Sequence, residues 1–304
     1  MKPEPRNQTT TADVYSRITE RIIADLAQGV RPWLKPWSAQ ESGHLITRPL
    51  RYNGAPYKGV NVLLLWGAAT DKGFSSPFWM TYKQAQELGG QVRKGETGSL
   101  VVYANRFTKT ETNEEGEDIE REIPFLKGYT VFNTDQIDGL PERFQPLPLP
   151  SPAPELLHQA AESFFASTGA SFRHGGNRAF YTTAGDFIQM PPPQAFKDPE
   201  SYAAIKAHEL IHWTGHSSRM AREFGKRFGD NAYAFEELVA ELGAAFLCAD
   251  LQLTPEPRPD HAAYLASWLK VLRQDKRAIF AAAAHAQRAA DYLHGLQASE
   301  KVAA

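Results

Sequence analysis

The chain has 304 residues, which suits two ordinary domains or one large one, and its 42% hydrophobic and 22% charged residues are normal for a soluble globular protein that can bury real cores. Its formal net charge is −2, no apolar run reaches membrane-spanning length, and the polar opening MKPEPRNQTTTADVY lacks the apolar core of a signal peptide. A single cysteine, Cys248, excludes a disulfide framework, and a cytoplasmic location is expected. The small net charge hides an asymmetry. Residues 1–110 carry 15 Lys+Arg against 8 Asp+Glu, whereas residues 111–304 carry 18 against 27. Such a split points to a basic module that meets an anion.

In chain order, Thr11 to Gln28 reads as an amphipathic helix. Val14, Ile18, Ile22 and Leu26 recur every four residues, and Gly29 is a natural stop. PWLKPW and a loop region with Arg48, Arg51, Tyr52 and Asn53-Gly54 follow, then a short apolar segment from Asn61 to Trp66. Thr81 to Gly89 reads as a second short helix. SLVVYANRF has the β-branched and aromatic content of a strand, and FLKGYTVFNTDQI that of its returning partner. Between them, ETNEEGEDIERE is a solvated hairpin tip or a mobile loop.

The prolines of ERFQPLPLPSPAPE forbid regular structure, so residues 142–154 are expected to be a linker between modules 1–141 and 155–304. Pro154-Glu155 opens a helix through Phe165, and NRAFYTTAGDFIQMP reads as a strand pair around Ala184-Gly185. From Ser201 onward the composition is almost wholly helical. The expected class is α+β in two domains: an N-terminal α+β module and a mainly helical C-terminal domain with a small sheet.

The most specific chemistry lies in HELIHWTGH, His208 to His216. Residues four apart share a helix face, so His208 and His212 can grip one ion, and neutral imidazole suits Zn²⁺. Glu209, beside them, is placed to take a proton from activated water. Asp198-Pro199 is the expected N-terminal cap. A catalytic site needs a third protein ligand and an open position. His216 lies about 12 Å beyond His208 along a continuous helix, too far to share the ion. Zincins with a third histidine place it where this chain has Ser218.

YAFEELVAELGAAFL offers glutamates instead. Glu237 and Glu241 share a face, and Glu236 is turned about 100° away, toward solvent. The pair resembles the gluzincin pattern, which implies Glu237 as ligand and Glu241 supporting a histidine N–H; the reverse assignment stays open. Tyr233 and His261 are candidates to face a developing oxyanion. AFYTTAGDFIQM is either an edge strand that aligns a peptide or a cover for the helices.

Aromatic and basic residues interleave in the first module, as they do where cations follow a nucleic-acid backbone and rings stack on bases. Candidate contacts with a single strand are Arg31, Trp33, Lys35, Trp37, Arg48, Arg51, Tyr52, Tyr57, Lys58, Arg93 and Lys94. Plain core packing is the alternative for most of these aromatics.

Taken together, RPWLKPW, RYNGAPYKGVN, FWMTYKQAQELGG, VRKGETG and GYTVFN, followed by AFYTTAGDFIQMP, HELIHWTGH and FEELVAELGAAFL, resemble the plasmid antirestriction proteins of the ArdC type. The resemblance implies an N-terminal single-stranded-DNA-binding domain and a C-terminal metallopeptidase-like domain. It implies His208, His212 and Glu237 around Zn²⁺, or another divalent ion such as Mn²⁺. It also implies carriage on conjugative plasmids and protection of incoming DNA from host restriction endonucleases. Beside that reading stand two others: a zinc metallopeptidase that cleaves a host protein or restriction enzyme, and a purely structural metal.

Overall fold

The computed structural model describes residues 11–31, 33, 47–112, 118–144, 153–225, 231–253 and 261–300. Helix α1, Thr11–Ala27, buries the expected stripe: Val14, Ile18, Ile22 and Leu26 are all 4% exposed or less. Gly29, at φ 75°, ends it in the left-handed conformation that glycine adopts without strain. Strand β1 is Leu50–Arg51, helix α2 Val60–Lys72 and strand β2 Phe78–Met80. The apolar segment expected over 61–66 is thus the first part of a longer helix. Val62, Leu63, Leu65 and Trp66 are buried around most of its circumference, which erases the 3.6-residue signal. Helix α3, Tyr82–Glu87, starts with a capping box in which Thr81 and Gln84 bond each other's backbone N–H.

Strands β4, Ser99–Thr112, and β5, Asp118–Asn133, form a long antiparallel ribbon. Its acidic tip, 113–117, lies outside the described residues. The sheet order is β1-β2-β5-β4, with β1 parallel to β2. A separate two-stranded sheet joins β3, Gln91–Val92, to β6, Ile137–Asp138. Of the expected linker, residues 145–152 also lie outside the described residues. Just before them, Glu142–Phe144 forms a 3₁₀ turn whose Phe144 ring packs edge-on against Phe78.

The second half opens with α4, Pro154–Ala166. Strands β7, Ser171–His174, β8, Phe180–Thr182, and β9, Phe187–Met190, make a sheet of order β7-β9-β8. The β8–β9 pair matches the expectation. Strand β7 was not expected, because four largely exposed residues pairing only with β9 leave no alternation to read. Four helices follow: α5, Pro199–Thr214; α6, Asn231–Asp250; α7, His261–Gln274; and α8, Ala278–Glu300. No described helix is long and apolar enough to cross a membrane.

The two halves share one hydrophobic core. Trp66 packs on Phe246 with ring centroids 6.0 Å apart, and Trp33 meets Trp268 edge-on at 6.1 Å. Arg48 crosses between the halves: it donates to Gln287 Oε1 at 2.6 Å and Asp250 Oδ2 at 2.7 Å, with its guanidinium over the Phe246 ring. The α+β class with a mainly helical second half therefore holds, and the halves are packed together.

Candidate metal centre

Helix α5 begins where the sequence says it should. The Asp198 side chain accepts from the Ser201 N–H at 2.7 Å, and Pro199 occupies the first turn. From Lys206 to Thr214 every residue is buried, so the helix that carries His208, Glu209 and His212 runs through the interior. Helix α6 lies against it at close range. An added Cβ on Gly243 would stand 2.9 Å from three side-chain atoms of Ile211, so only glycine permits this approach.

The approach brings Glu237 to the two histidines. Glu237 Oε2 is 3.5 Å from His208 Nε2, and its Oε1 is 3.5 Å from His212 Nε2. The imidazole centroids are 4.9 Å apart, and one donor atom from each of the three residues lies within 4.8 Å of the others. All three are buried, at 4%, 8% and 7% exposure. Two imidazoles and one carboxylate that converge, with a cleft on the remaining side, fit a divalent cation with an open coordination position. The cleft holds about 910 Å³ and is walled by Glu209, Tyr233, Tyr264 and strand β8, which like β7 forms an edge of its sheet among the described residues.

The electrostatics agree. Burial alone would raise the Glu237 carboxyl pKa, but His208 and His212 pull it far below the usual carboxylate range. Burial opposes charge on His212, yet Glu236 and Glu237 together raise its pKa to about 10. A field that holds a proton on His212 favours a metal cation in its place, so proton and metal compete for this ring.

Glu236, expected to face solvent, is 2% exposed and lies behind the site. The His212 Nδ1–H donates to its Oε1 at 3.1 Å, and Arg222 donates to both of its oxygens, at 2.8 and 2.9 Å. Arg222 also ties down the end of α5 through Thr214 Oγ1 and the Ile211 carbonyl. The expectation failed because it assumed one wet face, whereas α6 is buried around its whole circumference from Glu236 to Ala249. The Arg222–Glu236 pair aims His212 Nε2 at Glu237. Glu241 lies on the far side of His208, its Oε2 3.8 Å from Nδ1, and its Oε1 accepts from the Trp33 indole N–H at 3.4 Å. The reverse assignment would need Glu241 on the Nε2 side, where Glu237 stands.

His216 follows the end of α5 and faces Ser218, with Nδ1 2.7 Å from its hydroxyl, outside the donor cluster. Tyr233 sits at the cleft with its hydroxyl 3.3 Å from that of Tyr264; burial, Tyr264 and Glu237 all push its pKa upward. His261 opens α7, and its side chain lies outside the described residues.

The expected nucleic-acid contacts scatter. Trp33, Arg48 and Tyr57 are buried, at 0%, 6% and 7% exposure, and hold the core and the join between halves. They cannot present a face to a strand as the sequence suggested, because an indole or guanidinium on the short segments around them packs inward. Lys35 and Trp37 lie outside the described residues. Arg31 is half-buried near the Glu241 charge. Arg51, Tyr52, Lys58, Arg93 and Lys94 are exposed, but Lys58 pairs with Asp291, and Arg93 with Glu96 and Asp138.

Comparison with known proteins matches two stretches of the chain to described families. Residues 12–132 match the family described as the N-terminal domain of the anti-restriction factor ArdC, and residues 159–285 match zincin-like metallopeptidases. A Sinorhizobium fredii protein designated y4eC is 43% identical over 298 residues, 96% of this chain and 95% of that protein. The Escherichia coli DNA primase TraC is 37% identical over 296 residues, which cover 92% of this chain but 27% of the primase. The metal-free crystal structure of the antirestriction protein ArdC from plasmid R388 is 48% identical, with a TM-score of 0.78 over 94% of this chain and 98% of that one. Its Mn(II)-bound form is 47% identical, with a TM-score of 0.75 over 93% and 98%. The chain belongs to the ArdC family of antirestriction proteins, with a zincin-like metallopeptidase domain as its second half.

Proposed function

We propose that this protein binds single-stranded DNA in the cytoplasm and shields DNA arriving by plasmid transfer from restriction endonucleases. The halves 1–141 and 155–304 divide the labour: the first meets DNA, and the second holds one divalent cation, Zn²⁺ or Mn²⁺, on His208, His212 and Glu237. The observation that carries this reading is similarity to an antirestriction protein over 94% of the chain and 98% of the relative. A similar segment in a protein named as a DNA primase favours a nucleic-acid partner. The test is binding of a labelled oligonucleotide, single-stranded and duplex, across a salt series. Tighter binding of the single strand, weakening as salt rises, is the expected result. Equal binding of both forms, or affinity indifferent to salt, contradicts it.

The donor set with Glu209 beside it favours a second reading, a metallopeptidase that cleaves a host protein and is targeted by the first half. A divalent cation bound there supplies Lewis acidity, polarising a carbonyl and acidifying water. The Glu209 carboxylate accepts a proton and returns it to a leaving amine. The Tyr233 hydroxyl faces a developing oxyanion, and the edge strand β8 aligns an extended peptide by backbone hydrogen bonds. Glu236 keeps His212 in one tautomer and orientation.

A further inference from the structure

The β4–β5 ribbon has two unlike faces near its base. Strand period alternates side chains, and the register pairs Val102 with Gly128 and Ala104 with Leu126 on one face. That face meets the core: Val102 and Leu126 are buried, and Gly128 approaches Val14 of α1. The opposite face pairs Tyr103 with Lys127, Asn105 with Phe125 and Val101 with Tyr129; Val101 is itself buried, and beyond it, from Tyr103 on, the strand opens to solvent with Ala104 also exposed. There Tyr103 is 48% and Tyr129 39% exposed, unusual for large rings on ordered strands.

These rings form a row. Tyr103 lies 6.1 Å from Phe125 and 6.4 Å from Tyr129, centroid to centroid. Lys127 Nζ sits 5.2 Å from the Tyr129 centroid, and the Asn105 amide donates to the Tyr103 hydroxyl at 2.6 Å. The rings are inclined to one another, by 59° for Tyr103–Phe125 and 79° for Tyr103–Tyr129, so beside the exposed Lys127 they offer unpaired bases separate ring faces to stack on and a positive charge for the backbone. A duplex hides its base faces, so such a row discriminates against it.

We propose that the outer face of the β4–β5 ribbon, built from Tyr103, Phe125, Tyr129 and Lys127, is the base-stacking platform for single-stranded DNA. The proposal rests on the single-strand-binding reading above and moves its centre away from the buried Trp33, Arg48 and Tyr57.

The test is anisotropy of a fluorescent oligothymidylate with wild type, Tyr103→Ala/Tyr129→Ala, Tyr103→Phe/Tyr129→Phe and Lys127→Ala. The alanine pair should lose at least about ten-fold in affinity while keeping one cooperative unfolding transition, because both rings are partly exposed. The phenylalanine pair should bind as wild type, and Lys127→Ala should flatten the dependence on salt by about one phosphate contact. Photocrosslinking of a bromouracil-substituted oligonucleotide to wild-type protein supplies a readout independent of variant folding, with adducts expected within residues 99–131. If wild type binds no oligonucleotide, the single-strand reading fails and the platform with it. If wild type binds but the alanine pair matches it, or the adducts map elsewhere, the platform alone is overturned, and the aromatic face serves another partner such as a protein. An equal loss in the phenylalanine and alanine pairs would point to the hydroxyls and refute stacking.

Discussion

Glu236→Gln replaces one carboxylate oxygen by an amide NH₂ and should be costly. Glu236 is 2% exposed and accepts three charge-assisted hydrogen bonds, two from Arg222 and one from His212. Each such bond contributes about 1.5–3 kcal/mol, and breaking a buried ion pair by removing one partner costs about 3–5 kcal/mol. Glutamine keeps one acceptor oxygen but turns an NH₂ group toward the Arg222 guanidinium, leaving that cation without its counter-charge. A loss of about 3 kcal/mol is expected, a fall in melting temperature of about 5 °C for a chain of 304 residues. Because the carboxylate also orients His212, affinity for Zn²⁺ should fall about 10–100-fold. Urea unfolding of the metal-free protein gives the first number, and competition with a chromophoric chelator gives the second. The double variant Arg222→Met/Glu236→Gln should be less destabilised than the sum of its parts, since it leaves no unpaired charge. If Glu236→Gln unfolds within about 0.5 kcal/mol of wild type and binds metal equally well, the role given to Glu236 is wrong.

Arg48→Met should destabilise by about 2–3 kcal/mol while keeping one cooperative transition: two charged hydrogen bonds are lost, but Gln287 keeps the Gly59 N–H and Asp250 keeps His294. Two separate transitions in a denaturant scan would refute the shared core. Gly243→Ala should push α5 and α6 apart and weaken metal binding more than it lowers stability, as read by the same chelator competition; unchanged affinity contradicts the close-approach argument. Asp186, bonded by Arg219 and Tyr181, has a pKa held below its ordinary value, chiefly by the Arg219 hydrogen bond. Its contribution is therefore present above the unfolded pKa of about 3.8 and is lost as pH falls through the lower folded value. Because the side chain is 37% exposed, Asp186→Asn should cost at most about 1 kcal/mol at pH 7, and the gap to wild type should close below about pH 4. A gap that widens in acid would reverse the sign.

What could be read from the chain divides by the kind of signal. The Val14–Leu26 stripe, the Asp198-Pro199 start and the His208/His212 spacing are local patterns, and local patterns survive folding. Glu237 was reachable through its spacing from Glu241. Glu236 was misplaced because a solvent-facing side was assumed for α6, and a helix enclosed all round gives no periodicity to correct that. Arg222 stands 14 residues before Glu236 in an irregular stretch, so nothing but the fold announces it. Trp33 and Arg48 looked like surface groups because aromatic and basic residues read alike in a binding face and in a join between domains. Their true partners, Trp268 and Asp250, are more than 200 residues away. Gly243 gave a faint cue in LGAAF, a run of small residues where two helices touch.

The most direct measurement is protection during plasmid transfer into restricting and non-restricting recipients, with wild-type protein, Glu209→Ala or none. If protection works through bound single-stranded DNA, Glu209→Ala should protect as well as wild type, with both well above the control. A Glu209→Ala protein that folds, binds the oligonucleotide and yet fails to protect would make proteolysis the effector and contradict the account.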